Sequence, residues 1–481
     1  MTSALVTDFY ELTMMQGFFL EHHNPRVVFD MFYRNNPFNG GYTIFTGLED
    51  LIEKLENFRF SPEDIQYLRS LNKFQPSFLE YLESYSFSGD LYAFDEGTPA
   101  FPQEPLIRIE TNMLDAQLIE SLILNTINFQ TLIATKASRM SLATKGRGSI
   151  MEFGLRRAQG IDGALSASRA CYIGGCDVTS NTLAGKKYGI PVAGTMAHSW
   201  IMLFGDEYQA FRAFADIYPD NCILLIDTYD TLGSGIEAAI KVGLEQKAKG
   251  KKIGIRIDSG DLSYLTKAAR AKLDEAGLED ATICVSNDLN EQIILTIIND
   301  GAPIDSWGIG THLVTGGNQA ALGGVYKLAA KKENGVFIPT LKISSSYEKT
   351  TNPGIKQVYR FFDKNGQALA DLITLDSEKV NKGENHIFYH PFSTQDMFVM
   401  RKNAYQDAVP LLKKQMENGK RIAPSPTLKE IQESSREKLS HFDKSYKRQV
   451  NPHIYKVSLS TELKNLKGNL ILQAKMAEDK I

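Results

Sequence analysis

Between about residues 149 and 330 the chain repeats one pattern. A short apolar run ends on a polar or charged residue and is followed by apolar positions at helical spacing. The runs lie at 150–153 (Ile-Met-Glu-Phe), 191–200 (Pro-Val-Ala-Gly-Thr-Met-Ala-His-Ser-Trp), 223–227 (Ile-Leu-Leu-Ile-Asp), 253–258 (Ile-Gly-Ile-Arg-Ile-Asp), 282–286 (Thr-Ile-Cys-Val-Ser) and 306–311 (Ser-Trp-Gly-Ile-Gly-Thr). Runs this apolar are buried on both faces, which is the habit of parallel strands covered by helices. The helical stretches between them are 165–170, 181–188, 207–218, 233–248, 263–276 and 290–300. Counting 170–173 (Ala-Cys-Tyr-Ile) and 325–328 (Val-Tyr-Lys-Leu) as strands gives about eight βα units, so the pattern predicts an α/β fold with a central (β/α) barrel, closed or nearly closed. Such barrels keep their chemistry at the carboxyl ends of the strands. Phe153, Arg156, Thr195, His198, Arg256, Asp258 and Thr311 should therefore share one rim.

A chain of 481 residues exceeds one ordinary core. Residues 1–140 read as a smaller mixed α/β domain, with a helix at 7–17 that puts Tyr10 and Met14 on one face, a strand at 27–33, a helix at 48–58 and a long helix at 113–140. The catalytic barrel takes 141–340. Residues 341–481 form a β-rich return segment and a C-terminal extension, with a hairpin turn at Asp363-Lys364-Asn365-Gly366 and a strongly charged helix at 428–441 whose charges suit a solvated face.

A net charge of −4 gives no general attraction to nucleic acid or anionic membrane, so any phosphate site must be local. No uncharged apolar run is long enough to span a bilayer, and the amino terminus does not read as a signal peptide. Cys171, Cys176, Cys222 and Cys284 show neither metal nor redox spacing and read as reduced core residues of a cytoplasmic protein.

Within this frame particular residues point to chemistry. His198 could be a core histidine satisfied by one hydrogen bond, but it stands at a strand end three residues after Thr195. Alternation puts Arg256 and Asp258 on one face, where a guanidinium can clamp a carboxylate while the aspartate holds a sugar diol; the plain alternative is a local ion pair. Gly308, Gly310 and Thr311, followed by Thr315-Gly316-Gly317, offer amides and hydroxyls suited to phosphate. Phe153 could stack on a flat ring and Arg156 could meet a phosphate; both could equally be core and cap residues. The acids of 223–233 stand three apart, unlike the adjacent acids of the purine-salvage phosphoribosyltransferase loop. Lys327 could form a Schiff base, though no acid partner is assignable to it and a structural lysine fits better.

The stretches 7–14, 152–156, 179–185 (Thr-Ser-Asn-Thr-Leu-Ala-Gly), 194–199, 256–262 and 308–315, with Asn451-Pro452-His453, occur in the order found in nicotinate phosphoribosyltransferases. The chain closely resembles that family along nearly its whole length. The resemblance implies transfer of nicotinate to phosphoribosyl pyrophosphate, giving nicotinate mononucleotide and pyrophosphate for NAD synthesis, with ATP hydrolysis coupled and Mg²⁺ assisting. It implies a homodimer in which Tyr10 of one subunit and Phe153 sandwich the pyridine ring. Thr195 and Arg256 would hold nicotinate, Asp258 the ribose, and Gly308, Gly310 and Thr311 the phosphate, while ATP would phosphorylate His198. In the nicotinamide-using relatives an aspartate is expected where this chain has Asn181, which argues for the acid as substrate. A catalytically silent binding barrel is the reading from another class, and the joint presence of His198, Arg256 and Asp258 speaks against it.

Overall fold

The computed structural model describes residues 2–344, 349–393 and 396–478. Its contacts gather the chain into two compact units, Met1–Leu132 with Ala321–Ile481, and Ile133–Ala320. Where the sequence suggests three successive segments, the first and last stretches here share a unit, and the helix Glu120–Ala143 runs through the first boundary.

The middle unit is built on six parallel strands: β1 (Ser149–Glu152), β2 (Val178–Thr179), β3 (Cys222–Leu225), β4 (Ile253–Ile257), β5 (Thr282–Asn287) and β6 (Ser306–Ile309). Their order in the sheet is β3-β4-β5-β6-β1-β2. Leu224, Ile255, Ile257, Ile283, Val285, Trp307 and Ile309 are fully or almost fully buried, each worth roughly 1.5–3 kcal/mol of apolar burial. The helices start soon after the strands because short polar residues cap them. Asn181, Asp206, Asp261 and Asn290 accept hydrogen bonds from the amides of Ala184, Gln209, Tyr264 and Ile293.

The sheet is a half-barrel, and this corrects the expectation of closure. Past β2, among the described residues, it is extended only by a bridge between Thr179 and Val192, with Thr179 N donating to Pro191 O and Ala193 N to Thr179 O, both at 3.0 Å. Among the described residues no pairing joins that edge to β3. Three misread stretches account for the missing strands. The run 191–200 is not a buried strand: its proline, glycine and alanines offer little to pack, Val192 is 58% exposed, and His198 already opens the helix His198–Phe204. Residues 170–173 belong to the helix Gly160–Gly174, whose alanine-rich buried face continues until Gly175 ends it at φ +119°. Residues 325–328 lie in the strand Gly324–Glu333, which pairs antiparallel with Arg26–Tyr33 in the other unit. There Lys327 sits 3.7 Å from Glu120, so it has an acid partner and no place in the barrel.

The other unit holds a seven-stranded sheet with Arg26–Tyr33 between Gly324–Glu333 and Ile107–Asn112. A second, six-stranded sheet contains the hairpin Lys356–Phe362/Ala368–Leu375, where Gly366 turns at φ +77°. The stretch expected as one helix at 113–140 is two, Met113–Leu118 and Glu120–Ala143. The charged helix Leu428–Ser440 opens on a capping box between Thr427 and Glu430. Among the described residues no helix is long and apolar enough to cross a membrane.

Candidate active site

At the carboxyl end of β4, Arg256 and Asp258 point the same way, and the guanidinium is held on three sides. Its Nε donates to Ser286 Oγ at 2.8 Å, Nη1 to Thr195 Oγ1 at 2.8 Å, and Nη2 to Asp258 Oδ1 at 3.1 Å. The Ser286 hydroxyl, from β5, donates to the same Asp258 Oδ1. The other oxygen, Oδ2, lies 3.9 Å from His198 Nε2, and His198 Nδ1 is 3.1 Å from Thr228 Oγ1. Asp227, just past β3, accepts from the Asp258 amide at 2.9 Å and the Ser259 hydroxyl at 2.6 Å. Its Oδ1 is buried and has no hydrogen-bond partner.

Thr195, His198, Arg256 and Asp258 border a cavity of about 350 Å³, with Phe153, Arg156, Ser180, Met196 and Leu225 among its other lining residues. The Phe153 ring centroid lies 5.7 Å from the Arg256 guanidinium carbon, at the outer range of a cation–π contact. Gly308 and Gly310 do not line the cavity; they make room for Phe153. A Cβ at 308 would come within 2.8 Å of the ring, and one at 310 within 3.1 Å of the Phe153 carbonyl oxygen. Thr311 also stands outside the lining, opening the short helix Thr311–Val314. Asn181 is buried: its Oδ1 caps the following helix and its Nδ2 donates to Ser168 Oγ at 3.2 Å. Tyr10 belongs to the other unit and is 49% exposed on the helix Phe9–Leu20. Partial burial, then the charges of Glu120 and Glu11, push its phenol up to about 12, so it remains a neutral ring at physiological pH.

Sequence reasoning did not assign sites at Ser286, Thr228 or Asp227. Each stands at or just past a polar strand end of the half-barrel, and that was the available signal. It also took Glu152 only as part of a motif. This carboxylate is buried under the site, where it accepts from Gly154 N, from Ser168 Oγ at 2.8 Å and from Thr179 Oγ1 at 2.5 Å, tying the ends of β1 and β2 to the helix Gly160–Gly174. Glu152→Ala would leave these buried donors unpaired. Chemical denaturation should show a loss of about 3 kcal/mol, and no loss would mean that water replaces the carboxylate.

An aromatic wall, a fixed cation with hydroxyl neighbours, and a carboxylate beside a histidine suit a small, flat, anionic substrate together with a polyol. A site so placed on a parallel half-barrel is that of an α/β enzyme handling such molecules.

Comparison with known proteins narrows the class. Residues 5–128 match the nicotinate phosphoribosyltransferase N-terminal domain, 149–342 the nicotinate phosphoribosyltransferase family, and 355–467 the nicotinate phosphoribosyltransferase C-terminal domain. The chain is 42% identical over 461 residues to the nicotinate phosphoribosyltransferase of Bacillus subtilis, covering 95% of this chain and 93% of that protein. It is 38% identical over 535 residues to that of Caenorhabditis elegans, covering 98% and 94%. The crystal structure of human nicotinic acid phosphoribosyltransferase superposes with a TM-score of 0.83 at 30% identity, covering 96% of this chain and 99% of that one. The chain belongs to the nicotinate phosphoribosyltransferase family.

Proposed function

We propose that this protein joins nicotinate to phosphoribosyl pyrophosphate, forming nicotinate mononucleotide and pyrophosphate in NAD synthesis, and couples the reaction to ATP through a phosphohistidine at His198. The observation that carries the reading is the Arg256 guanidinium, anchored on three sides beside the Phe153 ring, in a cavity sized for a pyridine acid. Arg256 and Thr195 hold the nicotinate carboxylate and Phe153 covers one face of the ring. Asp258 holds the ribose hydroxyls, and Arg156 meets a phosphate. The glycosidic carbon passes through an oxocarbenium-like state, so most of the rate comes from alignment of the two reactants and from charge placed against the departing pyrophosphate.

Mg²⁺, when bound, neutralises charge on that leaving group. Among the described residues no cluster of three or more acidic, histidine or cysteine side chains could hold a metal unaided, so the ion would rely on phosphate oxygens. Asp227, with its unpartnered buried oxygen, and Asp258 are the carboxylates suited to share it.

At His198 a neutral ring nitrogen attacks the γ-phosphorus of ATP. The new N–P bond replaces the bond to the β–γ bridging oxygen, and ADP leaves; water later releases phosphate and restores the ring. The Thr228 hydroxyl on Nδ1 fixes the ring for this step.

The site is completed in a homodimer, with Tyr10 of the second subunit covering the other face of the pyridine. Phe9, Tyr10 and Met14 are 50%, 49% and 39% exposed on one helix, which supports a partner there. Tyr10→Ala should weaken nicotinate binding by about 1–2 kcal/mol, the scale of aromatic stacking, in a folded protein. Unchanged affinity would remove Tyr10 from the site. The four buried cysteines, none of them in a disulfide, accord with a cytoplasmic setting. The decisive assay mixes protein and phosphoribosyl pyrophosphate with nicotinate or nicotinamide, with and without ATP. Nicotinate mononucleotide formed faster with ATP is expected, and equal use of nicotinamide would overturn the substrate assignment.

A further inference from the structure

We infer that Ser286 is a positioning residue for this reaction, and that its hydroxyl keeps Asp258 from closing onto Arg256. The inference rests on the reading of Asp258 as the ribose-binding carboxylate. An arginine offers a carboxylate two forked edges, and the side-on edge consists of Nε–H with one N–H of Nη2. Asp258 stands at that edge, with Nη2 at 3.1 Å from Oδ1, and a free carboxylate so placed would swing to take Nε as well. Here Nε is already occupied by Ser286 Oγ at 2.8 Å. The same hydroxyl gives its proton to Asp258 Oδ1. One side chain thus caps the competing donor and saturates the oxygen that would turn, leaving Oδ2 directed to the cavity, 3.9 Å from His198 Nε2.

The fold provides for this hydroxyl. Ser286 is 3% exposed on β5, beside β4, and the glycine opposite it at 308 is needed, since a Cβ there would lie 3.1 Å from Ser286 Cβ. The end-on edge of the guanidinium is the one a ligand can compete for. Nη2 keeps a second N–H, and Nη1, besides its bond to Thr195, donates a long 3.4 Å hydrogen bond to the Met196 carbonyl that a carboxylate would displace. The arrangement therefore separates two jobs. Arg256 faces the pyridine acid end-on, and Asp258 is held monodentate for the sugar.

The test replaces Ser286 by Ala and, separately, by Cys, which fills nearly the same space but forms only weak hydrogen bonds. Steady-state kinetics of the full chain should show KM for phosphoribosyl pyrophosphate raised about tenfold in both variants, the scale of one lost charge-assisted hydrogen bond, with KM for nicotinate changed less than about threefold. A Cys variant that behaves as wild type would mean that Ser286 acts only by packing, and would overturn the inference. So would an unchanged KM for phosphoribosyl pyrophosphate, or a rise confined to nicotinate. Asp258→Asn measured alongside separates the two levels: if it leaves KM for phosphoribosyl pyrophosphate unchanged, the ribose-binding reading itself fails.

Discussion

His198→Asn is expected to abolish acid-labile labelling by γ-labelled ATP and to remove ATP stimulation, while slow transfer persists at high substrate concentration. Asparagine keeps a polar side chain next to Thr228 but has no nucleophilic ring nitrogen. On the proposed mechanism a phosphoryl group on His198 would add about −1.5 to −2 charge within a few ångströms of Asp258, and so would alter how the site receives a polyanionic substrate. In that scheme ATP would act on substrate capture and the overall equilibrium, not on the glycosidic bond itself. Retained labelling together with retained stimulation would move the phosphorylated residue elsewhere. Complete loss of transfer at every substrate concentration, in a folded protein, would place His198 in the chemical step.

The second large effect falls on Arg256. With end-on donors removed, Arg256→Ala should weaken nicotinate binding by about 3 kcal/mol, roughly two orders of magnitude in KM, and erase most of the preference over nicotinamide. Arg256→Lys should fare little better, because one ammonium cannot serve Ser286, Thr195 and Asp258 together and still meet a carboxylate in a fork. If the alanine variant keeps its preference, the carboxylate is read by another group.

Five of the six parallel strands were legible because each follows a short apolar run bounded by polar residues, and β4 and β5 match the sequence pattern within a residue or two; β2, only Val178–Thr179, is too short to show a pattern and was missed. The errors share a cause. Residues 170–173 have β-prone side chains but sit on a helix whose buried face begins several residues earlier, and a short window does not see that face. Residues 325–328 do form a strand, but its partner lies far upstream, and local pattern carries no information about pairing. At the site, the strand-end reading grouped Phe153, Arg156, Thr195, His198, Arg256 and Asp258, which do border one cavity, although Thr195 reaches it from a loop and His198 from the start of a helix. Pattern could not show that Asn181 is spent on a cap, or that Gly308 is spent on clearance for Phe153. Nor could it show that an ordinary serine links Arg256 to Asp258, because that role exists only where β4 and β5 are side by side.

The strand Arg26–Tyr33 also sets a timetable for biosynthesis. Its neighbour Gly324–Glu333 leaves the ribosome about 300 residues later, which at about 5–20 residues per second is a wait of roughly 15–60 s. The unit Ile133–Ala320 is contiguous and can close its own core in that interval, whereas an apolar strand near the amino terminus stays unpaired on one side. The nascent chain is thus most exposed to misassociation before its last third is made, and a chaperone that shields the first 130 or so residues would raise the yield of folded protein more than one acting on the half-barrel.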